Sequence, residues 1–218
     1  MAGLYLGRRP SIGGCILKKA SLLACLLFLF ASLASTAFAQ SGDVAFGVSG
    51  LTAPSPSSFD INSGNFFAPT MGGGSYLNFT GDFLVRHHLG VEGEIAWRTH
   101  QNLYQGYQPY RPLFYDFGGI YATRLSKFIG VEATAGIGAE SLRFYNNYYT
   151  CGYVTGCTDY TSSNHFMGAF GGGVKLYPWH NVFVEPNVRL YLIRNNVEFD
   201  SNRALRAGVS IGYTFGGD

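Results

Sequence analysis

Between Leu205 and Phe215 the chain alternates strictly: Leu205, Ala207, Val209, Ile211, Tyr213 and Phe215 share one face, and Arg206, Gly208, Ser210, Gly212 and Thr214 share the other. Side chains of a β-strand point alternately to opposite sides, so this period-two pattern predicts a strand with one apolar and one small or polar face. Seven earlier segments divide in the same way. Val44, Phe46 and Val48 oppose Ala45, Gly47 and Ser49; Leu77, Phe79, Phe83 and Val85 oppose Asn78, Thr80, Asp82 and Arg86; Val91, Ile95 and Trp97 oppose Glu92, Glu94 and Arg98. Tyr115, Phe117, Tyr121 and Leu125 then oppose Asp116, Gly118 and Arg124, and Val131, Ala133, Ala135 and Ile137 oppose Glu132, Thr134, Gly136 and Gly138. Phe166, Phe170, Val174 and Leu176 oppose Ala169, Gly171 and Lys175, and Val184, Val188, Leu190 and Leu192 oppose Glu185, Asn187, Arg189 and Tyr191. No sustained helical period interrupts the series, so an all-β fold of eight strands is expected.

Strands of about ten residues can cross a bilayer at a tilt of roughly 45°, and an even number of them can close into a barrel. The connections alternate too. Short turns are expected near His87–Gly90, Ser126–Phe128 and Trp179–Asn181, and long polar loops over Pro54–Gly74, Gln101–Arg111, Asn146–Asn164 and Asn195–Ser201. An antiparallel up-and-down meander would gather the short turns at one end and the long loops at the other, as in barrels with tight periplasmic turns and longer external loops.

Alternation does not say which face points inward; charge does. Only 13% of the 218 residues are charged, few for a domain whose whole surface meets water. The polar face carries Asp82, Glu92, Glu94, Asp116, Glu132 and Glu185 together with Arg86, Arg98, Arg124, Lys175, Arg189 and Arg206. Inside a narrow barrel these twelve groups can pair, and the glycines among them leave room for long side chains from neighbouring strands. The expected arrangement is therefore a transmembrane barrel with an ion-paired, packed interior. A soluble, lipocalin-like periplasmic carrier, with the apolar face inward, is the competing arrangement.

The N-terminal segment fits export. Arg8, Arg9, Lys18 and Lys19 precede the uncharged run Ala20–Leu33, and Ala37-Phe38-Ala39 supplies a small-x-small cleavage pattern. A signal peptide over 1–39 is expected, with the mature barrel domain spanning 40–218. Its removal takes four positive charges from a formal net of +2 and leaves −2, which argues against a nucleic-acid partner. Cys15 and Cys25 would leave with it, and Cys151 and Cys157 would form a disulfide in the oxidising compartment.

The terminal segment, with Gly208, Ile211, Tyr213 and Phe215, resembles the assembly signal of bacterial outer-membrane proteins. Together with the leader and eight strands, the chain resembles the small outer-membrane β-barrel superfamily, which includes the membrane domain of outer-membrane protein A and the opacity-type, porin-like proteins. The resemblance implies outer-membrane localisation, lipid contact and recognition by the barrel-assembly machinery. Some proteins of this architecture modify lipid A with a serine and a histidine, and Ser162, Ser163, His165 and Glu140 supply the residue types without the His-x-Ser spacing. His87 and His88 lack a third ligand at metal-site spacing. No cofactor or metal is expected, and the leading expectation is a non-enzymatic structural or adhesive protein. Its long loops hold Tyr104, Tyr107, Tyr110, Tyr145, Tyr148, Tyr149, Tyr153 and Tyr160, which would offer contact area to an extracellular ligand or surface. A lipid A-modifying enzyme and a narrow pore remain the alternatives.

Overall fold

The computed structural model describes residues 41–54, 71–86, 88–104, 106–152, 156–199 and 201–216. The expected signal peptide and most of the loop between Pro54 and Gly74 lie outside the described residues.

All regular structure among the described residues is β. The strands are β1 (Ser41–Thr52), β2 (Ser75–Arg86), β3 (Leu89–Arg98), β4 (Asn102–Tyr104), β5 (Gln108–Arg124), β6 (Ile129–Gly152), β7 (Gly156–Trp179), β8 (Val182–Ile193) and β9 (Arg203–Phe215). Each strand of the wall pairs antiparallel with its neighbours in sequence, and β1 pairs with β9 from Gly42↔Phe215 to Thr52↔Leu205. That last pairing closes an eight-stranded up-and-down ring. The three-residue β4 stands outside it, forming a small hairpin with the start of β5 through Asn102↔Tyr110 and Tyr104↔Gln108.

Exposure decides the orientation of the wall. Phe79 is 46% exposed, Val188 48% and Ile211 58%, whereas Glu94 is 6% and Arg189 7% exposed. Large apolar residues cover the outside and charged residues fill the inside, the inverse of a soluble barrel. The period-two pattern places each segment on the expected face because shifting any strand by one residue would carry its charges into the apolar belt.

The short turns fall where expected. At the β5–β6 turn the Ser126 hydroxyl accepts from the Phe128 and Ile129 amides at 3.2 and 3.1 Å, occupying backbone donors that the tight bend leaves unpaired. The opposite end differs from expectation. β6 and β7 each run for 24 residues, so the region expected as a loop over 146–164 is largely a hairpin rising above the wall. Tyrosine and threonine suit an extended ladder, and above the membrane no apolar environment imposes alternation, so the sequence carries no one-faced signature there. For the same reason Gln101–Arg111 contains β4 and the beginning of β5.

Two glycines show how tightly the wall curves. A Cβ on Gly138 would collide with the Tyr115 carbonyl oxygen, and one on Gly118 with that of Ala135. At these inward positions of β5 and β6 the adjacent backbones approach too closely for any side chain.

Candidate functional site

The lumen is built in layers. Nearest the short turns, Tyr177 and Phe183 are buried against Ala45. Above them Lys175, on β7, directs its ammonium to three carboxylates on three other strands: Asp43 at 2.5 Å, Glu132 at 2.7 Å and Asp82 at 3.2 Å. The middle layer centres on Arg189 of β8, which pairs with Glu92, with Asp116 at 2.7 Å and with Glu94 at 3.6 Å. Arg206 of β9 reaches the other Glu94 oxygen at 2.5 Å, and the Tyr191 hydroxyl donates to Glu94 at 3.1 Å. Small residues make room for this network: a Cβ on Gly173 would lie 2.5 Å from Glu185 Oε1, and one on Gly171 would lie 3.2 Å from Arg189 Nε.

The sequence-derived ion-pair set is thus divided. Asp82, Glu92, Glu94, Asp116, Glu132, Lys175, Arg189 and Arg206 meet in the lumen. Glu185 is buried and accepts from Asn187 at 3.3 Å, while Arg98 is buried and donates to the Tyr110 hydroxyl at 3.3 Å. Arg86 and Arg124 do not join them. Both are exposed at the short-turn end, where their strands leave the barrel, and the Arg124 guanidinium lies 4.4 Å from the Tyr177 ring centre. Asp43 was not expected in the network, although it alternates in phase with Ala45, Gly47 and Ser49.

At the long-loop end a largely apolar plug surrounds the remaining buried charges, Arg98 and Glu140. Tyr76, Tyr110, Phe114, Leu142, Met167, Tyr191, Phe199 and Met71 are almost fully buried. Phe114 stacks on Tyr191 with centroids 4.9 Å apart, and Phe199, from the β8–β9 loop, lies 5.0 Å from Tyr110 and 5.4 Å from Tyr104. That loop is fixed by Asn196, whose amide donates to Glu140 at 2.9 Å while its carbonyl accepts from the Phe199 amide at 3.3 Å. Two of the tyrosines expected in an external loop, Tyr104 and Tyr110, therefore close the barrel mouth.

The serine–histidine candidates also lie here. His165 Nε2 is 3.2 Å from Ser163 Oγ and 2.9 Å from Glu198 Oε2. A histidine that activates a serine uses one ring nitrogen for the hydroxyl and the other for the orienting acid. Both partners here lie against the same nitrogen, so the arrangement is a part-buried polar clamp rather than a relay. Ser162 is exposed and pairs across the ladder with Arg143, while Glu140 is held by Asn196. No cluster of three His, Cys, Asp or Glu residues able to hold a metal ion occurs among the described residues.

Cys151 and Cys157 are joined by a disulfide across the raised β6–β7 hairpin. Of the terminal motif, Ile211, Tyr213 and Phe215 point outward, and Gly208 lies on the inner face against Ser49 of β1.

No protein-family model and no curated protein sequence matches the chain. Solved structures do. Neisserial surface protein A superposes with a TM-score of 0.54 at 9% identity, over 80% of this chain and 97% of that one. Ail, the attachment invasion locus protein of Yersinia pestis, in complex with the heparin analogue sucrose octasulfate, gives 0.51 at 14% identity, over 80% and 98%. The fold is that of the small outer-membrane β-barrels. At such low identity the likeness is one of fold alone.

Proposed function

We propose that the protein is a non-enzymatic integral protein of the bacterial outer membrane, exported by a leader cleaved after Ala39 and inserted by machinery that recognises β9. Its role is structural or adhesive, exercised through the long-loop end. The observation that carries this reading is the combination of an apolar outer wall with a lumen closed at both ends. Among the described residues, such a molecule offers lipid a belt and offers solvent its rims and the raised hairpin. That hairpin is stiffened by its disulfide, and Tyr145 and Tyr160 lie opposite each other with centroids 6.0 Å apart. Rigid tyrosines provide contact area at low entropic cost, and the Ail structure, solved with a heparin analogue, supports a surface-binding role for this architecture.

A narrow pore is disfavoured because Phe114, Tyr191, Phe199 and the charge network fill the axis. The test is expression of the full chain followed by membrane fractionation and a surface-attachment assay with wild-type and Tyr145→Ser/Tyr160→Ser cells. The reading predicts heat-modifiable protein in the outer membrane and weaker attachment by the variant. Protein released by osmotic shock, or attachment unchanged by the substitutions, would contradict it.

A further inference from the structure

Four arginines stand on the outside of the wall immediately beyond the apolar belt at the long-loop end. On β5, Arg111 is in phase with outward Tyr115, and on β6, Arg143 is in phase with outward Ile137. Arg194 follows outward Leu192 at the end of β8, and Arg203 precedes outward Leu205 on β9. They form two adjacent pairs. Arg111 and Arg143 are directly opposite in the β5–β6 ladder, and Arg203 is opposite Leu192, two residues before Arg194. Among the described residues none of the four lies within ion-pair distance of a carboxylate.

Like charges directly opposite in a sheet repel, yet the pair on β5 and β6 is held in place. Arg111 donates from Nε to the Arg98 carbonyl at 2.6 Å and from Nη2 to the Thr99 carbonyl at 2.5 Å. The Arg143 guanidinium lies 5.1 Å from the Tyr160 ring centre. Between the two pairs, β7 presents Ser162, Asn164 and Phe166 to the exterior, all uncharged and exposed. At the two edges of this arc the corresponding outward positions are Thr52 on β1 and, on and just past β3, Trp97 and Thr99, without a charge. The positive charge is therefore an arc over β5–β9, continuous with the lipid-facing surface below it.

We infer that this arc binds the phosphate groups of an outer-leaflet glycolipid whose acyl chains lie on the adjacent apolar wall. A guanidinium matches phosphate oxygens in a bidentate fork. A lipid places that anion at the edge of the hydrocarbon, where these side chains are, and supplies chains to cover Ile137, Phe166, Leu192 and Leu205. The inference rests on the long-loop end facing outward in the outer membrane.

The test reconstitutes the full mature protein in phosphatidylcholine vesicles doped with a fluorescent glycolipid bearing two phosphates, or with the same lipid dephosphorylated. Lipid retained through detergent purification is then measured. Wild-type protein is expected to retain the phosphorylated form selectively, and Arg111→Gln/Arg143→Gln and Arg194→Gln/Arg203→Gln are each expected to lower retention about 25-fold, from roughly fivefold per surface arginine. Arg86→Gln/Arg124→Gln, at the other end, should change nothing. Retention indifferent to phosphorylation, or undiminished in the fourfold variant while it shows normal heat-modifiable migration, would overturn the inference alone. Binding of inorganic phosphate, or of a soluble sulfated polysaccharide, tighter than that of the phosphorylated lipid at the same charge concentration would reject a lipid as the occupant. Failure of the wild-type chain to insert in any vesicle would overturn both this inference and the outer-membrane reading.

Discussion

Arg206 on β9 and Glu94 on β3 meet at 2.5 Å inside the barrel, although their strands are not neighbours in the ring. The pair therefore ties opposite parts of the wall through the lumen. Removing one member of a buried ion pair strands the other, at a cost of about 3–5 kcal/mol. Arg206→Met is expected to be milder than Glu94→Leu, because Glu94 keeps Tyr191, Arg189 and Thr80 whereas loss of Glu94 affects all four of its partners. Urea unfolding in vesicles should show both losses, with the double variant costing less than their sum.

Lys175 is the cation shared by Asp43, Asp82 and Glu132. Lys175→Met is expected to be among the most damaging lumen substitutions, since it leaves three buried carboxylates without a counter-charge. Lys175→Met/Asp43→Asn, which removes one of the stranded carboxylates, is expected to recover part of the loss. Urea unfolding midpoints of the two variants in vesicles measure this directly.

Phe46 lies in the middle of β1, outward and 45% exposed, between Phe79 and Ile211 in the ladders. Phe46→Arg is expected to cost about 2–4 kcal/mol, and Thr52→Arg, at the exposed rim of the same strand, about 0–1 kcal/mol. Equal penalties in vesicle folding would mean that depth in a hydrocarbon layer does not govern this surface.

The disulfide closes only the top of the β6–β7 hairpin, far from the wall ladders. Cys151→Ser/Cys157→Ser is expected to remove about 2 kcal/mol of local constraint, speeding proteolysis at the tip while leaving the heat-modifiable migration of the barrel unchanged.

The wall was legible because lipid and lumen impose opposite demands on successive residues: Val209 and Ser210, or Val188 and Arg189, differ in character because they face different media. Where that contrast ends, legibility ends. Thr158 to Ser162 belong to the part of a strand raised above the wall, so nothing in their order separates strand from loop. Arg86 and Arg124 keep the parity of lumen residues but fall at strand ends, and position along a strand is not written in alternation. The mouth is the hardest case. Phe199 and Asn196 sit in a short polar connection, and their partners Tyr110 and Glu140 are remote in sequence, so only the closed ring brings them together. Asp43, by contrast, was available from phase alone.

The central claim is that hydrocarbon bathes the outer wall. The chain has two tryptophans, Trp97 and Trp179, so a Trp97→Phe/Trp179→Phe background gives a silent barrel into which Val188→Trp introduces one mid-belt reporter. In vesicles with bromine deep in the acyl chains, the emission of this reporter should be strongly quenched and should resist aqueous iodide. Quenching by iodide with no response to brominated lipid would contradict the account.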